Sequence, residues 1–96
     1  MTEDAVNEVR LTGTLVTETA VQSERGTLEA SFILQVADEE GLLVRIRCSG
    51  AAAERVSQER DTRLLRGATV ALRGLLFREP TDKEVHVRAL DIVFLT

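Results

Sequence analysis

Val9-Arg10-Leu11-Thr12-Gly13-Thr14-Leu15-Val16 reads as a half-buried β-strand with a bend in it. Val9, Leu11 and Leu15 fall on one face at period two, and Arg10, Thr12 and Thr14 fall on the other. Gly13 sits in the middle, and a glycine inside a strand pattern marks a bulge or a sharp bend, because no Cβ clashes when the backbone leaves the flat pleat. A strand that bends can serve two sheet surfaces at once, which is what the corner of a small closed barrel requires.

Outward from that strand, assigned from about Asn7 to Glu18, the chain continues in short pieces. Met1–Val6 is read as a frayed lead-in, and Thr19–Gly26 as a polar connecting loop ending on a glycine turn. A second strand shows the cleanest alternation, with Leu28, Ala30, Phe32, Leu34 and Val36 inward and Glu29, Ser31, Ile33 and Gln35 outward. Asp38-Glu39-Glu40-Gly41 is a compact, solvated hairpin turn that lacks the oxygen-ligand spacing of a calcium loop. The third strand returns with Leu42, Val44, Ile46 and Cys48 inward and Leu43, Arg45, Arg47 and Ser49 outward. A helix is expected between Ala51 and Leu65, capped by Ser49 and closed by Gly67, with Val56, Leu64 and Leu65 on its apolar stripe and a polar middle that can break it. A fourth strand, Ala68–Leu76, carries Val70 and Leu72 inward and a second bend at Gly74. The loop Phe77–Lys83 follows, where Pro80 forbids a ladder position. The fifth strand, Glu84–Leu95, changes phase from Val85, Val87 and Ala89 to Leu90, Ile92 and Phe94, the signature of a bulge.

Five strands this short protect their edges only by closing, and a helix between the third and fourth can plug one end. The expectation is an all-β, five-stranded OB-fold barrel in a single domain spanning residues 1–96. A chain of this length buries only about 60–65% of its unfolded surface, so few core positions can be given to chemistry. No apolar run approaches the length of about 20 residues that spans a membrane, and the acidic start lacks the character of a signal peptide, so a cytoplasmic location is expected. Net charge is −4, from 12 basic and 16 acidic residues, so any surface for a polyanion must be local. The lone Cys48 is inward on a strand and reads as a small buried thiol. His86 has no second His or Cys beside it and is read as a solvated surface residue. No nucleophile–base set, phosphate loop or carboxylate pair in a pocket is evident, so no enzyme, metal or cofactor is expected.

The residues also carry a family resemblance over Asn7–Leu95. Asn7-Glu8-Val9-Arg10-Leu11-Thr12-Gly13-Thr14-Leu15 resembles the opening Asn-x-Val-x-Leu-x-Gly-x-Leu strand of the bacterial single-stranded-DNA-binding (SSB) proteins. Gly26–Leu34, with Phe32-Ile33-Leu34 as its Phe-x-Leu, is similar to that family's second strand, and Arg45–Gly50 to its third. Arg66-Gly67-Ala68-Thr69-Val70-Ala71-Leu72-Arg73-Gly74-Leu75-Leu76 resembles the fourth, and Ala89–Leu95 the closing segment. The resemblance implies an OB domain that binds single-stranded DNA in replication, restart or repair, works with replication or repair proteins, and assembles as a homodimer or homotetramer. With Thr96 as its last residue and no Gly/Pro-rich tail, the chain is closest in size to the primosomal replication protein N branch.

One departure bears on function. The family stacks bases on aromatic residues of the second and third strands and of the loop between the fourth and fifth; here Phe77 alone holds such a position, and the chain has only three aromatics. Stacking contributes about 1–3 kcal/mol per base, and a micromolar affinity amounts to about 8 kcal/mol, so binding is expected to be weak and carried by Arg10, Arg45, Arg47, Arg78 and Lys83, with Phe77. Arginine planes can lie on bases as well as meet phosphates. Ile33 and Leu43, apolar and outward on neighbouring strands, are candidate oligomer or partner contacts. The alternative is a protein-interaction module on the same barrel, using Ile33, Leu43 and the arginines to dock on an acidic partner.

Overall fold

The structure, a computed structural model, describes residues 7–78 and 80–96; the expected frayed lead-in Met1–Val6 lies outside them. The elements run β1 (Val9–Leu15), β2 (Ala20–Glu24), β3 (Thr27–Val36), β4 (Leu43–Ser49), α1 (Gly50–Arg60), β5 (Thr69–Arg78) and β6 (Val85–Phe94). Sheet order is β1-β5-β6-β4-β3-β2, and a β1–β3 pairing closes the first five of these into a barrel. All pairings are antiparallel except β4 with β6. This is the OB fold, with one strand more than the sequence pattern gave.

Gly13 is where the barrel turns its corner. It is paired with Val36 of β3 and with Val70 of β5, so a single residue belongs to two ladders. Asn7 fastens the strand's start, donating from Nδ2 to the Leu76 carbonyl at 2.7 Å and accepting the Leu76 N–H on Oδ1 at 3.0 Å.

The alternation of β3 and β4 survives in the core, where Ala30, Phe32, Leu34, Ile46 and Cys48 are buried with Leu15, Val70, Leu72, Val87, Ala89 and Ile92. Each large apolar side chain so buried contributes roughly 1.5–3 kcal/mol. The phase change of the last strand is a bulge: Gly74 faces Ala89 and Arg73 faces Asp91, leaving Leu90 as the extra residue. Leu90, expected inward, is accordingly half-exposed. Val85, also expected inward, is exposed because it lies beyond the barrel's end, opposite Arg78 at the tip of the β5–β6 hairpin.

Two further expectations are corrected. Thr19–Gly26 is not a loop: Ala20–Glu24 is a strand, hairpinned onto β3 through Arg25 (φ 53°) and Gly26 (φ 78°), the left-handed pair of a two-residue turn. The helix stops at Arg60 with Asp61 as its cap, so Gly67 does not close it. Instead the Gly67 N–H donates to the Leu15 carbonyl at 2.8 Å. Ser49 is the N-cap residue but forms no side-chain cap bond. Ala52, Ala53 and Val56 bury against β3, β4 and β6, while Leu65 reaches the core from the segment after the helix; Leu64 is 81% exposed and joins no stripe. No helix among the described residues is long and apolar enough to cross a membrane.

Glu18 holds the segment after the helix in place. Its carboxylate accepts the Leu65 N–H at 3.0 Å and the Arg66 N–H at 3.2 Å, and the Leu65 bond above all lowers its pKa from the ordinary 4.5. A carboxyl whose folded pKa is depressed stabilises the fold above its unfolded value and loses that contribution as pH falls through the folded one. Glu18→Ala is therefore expected to lower the urea midpoint at neutral pH, and the difference from the native chain to shrink as pH drops below 4.5. An equal difference at neutral and acidic pH would show that the carboxylate is not what holds the segment.

Candidate nucleic-acid interface

Strand pairing decides which outward residues meet. On β4, Arg45, Arg47 and Ser49 point away from the core. Their cross-strand partners on β3 are Ile33, Ser31 and Glu29, and β2 extends the sheet by pairing Ala20 with Ser31 and Gln22 with Glu29. On the other side the parallel β4–β6 ladder places Arg88 beside Arg47. A groove of about 240 Å³ opens on this surface, lined by Gln22, Glu29, Ser31, Arg47, Ser49 and Arg88 among others. Arg47 and Arg88 thus stand side by side on adjacent strands, with the Glu29 carboxylate lining the same groove. Ser31 and Ser49 both line the same groove. Cys48 lies beneath it as a buried free thiol, and burial pushes its pKa up to about 12.

The β5–β6 hairpin borders the surface. Phe77 faces His86 across the ladder, with ring centroids 5.5 Å apart in an edge contact, and the Arg88 guanidinium lies over the Phe77 ring at 4.9 Å. One face of the ring is thus already covered by a planar cation. His86 is not the solvated residue expected from the sequence. Its parity is outward, but the turn before β6 folds over it, leaving it 2% exposed, with Nε2 2.9 Å from Oδ2 of Asp82. The Asp82 pKa is lowered, chiefly by the Glu84 N–H donated at 2.8 Å, then by His86 and by the nearby charge of Arg45.

The sequence-predicted site residues therefore separate. Arg45, Arg47 and Phe77 lie on this face or its border, and Lys83 is exposed in the turn beside Asp82. Arg78 falls on the opposite side of the hairpin from Phe77, one residue on in the alternation. Arg10 does not adjoin Arg45 and Arg47, because β1 and β4 are not neighbours. It pairs with Arg73 instead, where Glu8 and Asp91 supply the counter-charge at 3.6 Å to Arg10 and 2.6 Å to Arg73. Arg88 was missed. Its outward parity was legible, but the parallel ladder that brings it to Arg47 was not. Ile33 and Leu43, the latter 55% exposed, share the arginine face rather than forming a separate one.

No protein-family model matches the chain, and no curated protein sequence does. Solved structures do. The second single-stranded DNA-binding protein (SSBb) of Mycobacterium smegmatis matches at TM-score 0.78 and 21% identity, over 92% of this chain and 87% of that one. The SSB domain of a Synechococcus sp. protein matches at 0.76 and 16%, over 95% and 98%. A deletion mutant of the single-stranded DNA binding protein from Thermus aquaticus matches at 0.70 and 26%, over 95% of this chain and 51% of that one. The chain is an OB domain built like those of bacterial SSB proteins.

Proposed function

We propose that this chain binds single-stranded DNA weakly on the outer face of β2, β3, β4 and β6, as an accessory of replication, restart or repair. The observation that carries the reading is the meeting of Arg45, Arg47 and Arg88 on one face of a chain whose net charge is −4. Against that overall repulsion only a clustered patch attracts a polyanion. Arg47 and Arg88 take phosphates at the groove, Arg45 and Lys83 continue the track toward the hairpin, and bases pack on the Phe77–Arg88 pair and on Ile33 and Leu43. A homodimer or tetramer built on Ile33 and Leu43 would cover Arg45, so those two residues are assigned here to the nucleic acid.

Titration of labelled oligo(dT) at several salt concentrations tests the reading. If each of the three arginines neutralises one phosphate, log K falls with log salt at a slope of about −2, since single strands give about 0.7 per phosphate. Absence of any shift in low salt rejects the reading and moves the same residues to the acidic-protein-partner alternative.

A further inference from the structure

We propose that Asp82, Glu84 and His86 bind one first-row divalent cation of the zinc type at the border of the arginine face. The spacing Asp-x-Glu-x-His brings the three together: Asp82 and Glu84 lie in the turn that leads into β6, and His86 is the second residue of that strand. One ligand atom from each lies within 4.8 Å of the other two. Ligands at about 2.0–2.2 Å from a shared ion stand somewhat closer than that, and Glu84, which is exposed, is free to swing in.

The other two ligands are preorganised. His86 is buried against Phe77, and its Nε2 is aimed at the Asp82 carboxylate. Asp82 has one oxygen held by the Glu84 N–H at 2.8 Å, an outer hydrogen bond of the kind that orients a metal-ligating carboxylate, and the other directed at the imidazole at 2.9 Å. An imidazole with two carboxylates suits zinc and its first-row neighbours better than calcium or magnesium, which prefer all-oxygen sites. Three protein ligands leave a position for water. His86 Nδ1 has no hydrogen-bond partner among the described residues; when the ion takes Nε2 the imidazole proton must sit on Nδ1 without an acceptor, which makes the site weaker than a closed structural one.

The test uses the whole chain and no nucleic acid, so it stands apart from the DNA-binding reading. Zinc is titrated in competition with a chromophoric chelator, and cobalt absorption reports the coordination. The native chain is expected to take up one equivalent, with affinity falling by about tenfold or more in His86→Gln and in Glu84→Gln. Because His86 is buried, Glu84→Gln is the variant that leaves the fold undisturbed, with circular dichroism as the check. No stoichiometric uptake by the native chain, or a folded Glu84→Gln chain binding zinc as tightly as the native one, overturns the proposal.

Discussion

Gly13→Val is expected to cost the domain about 3 kcal/mol or more of stability, at the upper end of what overpacking does in a core. A Cβ added at Gly13 runs into the carbonyl oxygen of Gln35 and comes within 2.9 Å of Leu34 Cγ. The first contact is with backbone and the second with a fully buried side chain, so neither can yield cheaply. Gly13 also belongs to both ladders, and moving it away from β3 disturbs its pairing with β5. Gly74 repeats the situation across the barrel, where a Cβ would lie 2.5 Å from the Arg88 carbonyl oxygen and 2.8 Å from Val87 Cγ1, beside the Leu90 bulge. A domain of this size has only about 5–15 kcal/mol in total, so either substitution shifts the urea midpoint far. Thr12→Val, at the exposed neighbouring position, is the control and stays within about 0.5 kcal/mol. Equal midpoints for Gly13→Val and Thr12→Val would remove the argument that the barrel closes through a backbone contact at Gly13.

The second large effect concerns binding. Removing Arg45, Arg47 and Arg88 together is expected to abolish the oligo(dT) shift at moderate salt while leaving the melting curve close to native, because all three are exposed. A hydrogen bond to a charged group contributes about 1.5–3 kcal/mol, so each arginine is expected to carry roughly tenfold or more in affinity. Each single removal also lowers the salt slope by about 0.7. Arg88→Ala has a second effect, since it takes away the cation over Phe77 as well as a phosphate contact. Arg10→Ala is the informative control: it lies with Arg73, Glu8 and Asp91, away from β4, and is expected to leave both affinity and slope unchanged. If Arg10→Ala weakens binding as much as Arg47→Ala, the assigned face is wrong.

The parts of this fold legible in the sequence were those where burial imposes a period. β3 and β4 each have one face on the core, so their alternation named Ala30, Phe32, Leu34, Ile46 and Cys48 correctly, and the change of parity after Ala89 announced the Leu90 bulge. β2 gave no such signal. It is an edge strand lying off the barrel, with Val21 alone half-buried and the rest exposed, and a strand with no buried face has no hydrophobic period to read. Yet it walls the groove through Ala20 and Gln22. His86 illustrates a different limit, because parity fixes the face of a side chain and says nothing about a loop laid over that face. Arg10 and Arg88 exchanged places for a third reason: which outward residues are neighbours depends on strand order, and the β4–β6 ladder joins strands far apart in the chain.

The most direct measurement of the central claim is a titration of the isotopically labelled chain with short oligo(dT) at low salt, followed by backbone amide chemical shifts. Binding on the arginine face predicts shifts at Ser31, Ile33, Arg45, Arg47, Ser49 and Arg88 and at Phe77 beside them, with Arg10, Arg73 and the helix Gly50–Arg60 unmoved. Shifts confined to β1 and β5, or none at all with oligonucleotide in excess, would contradict it.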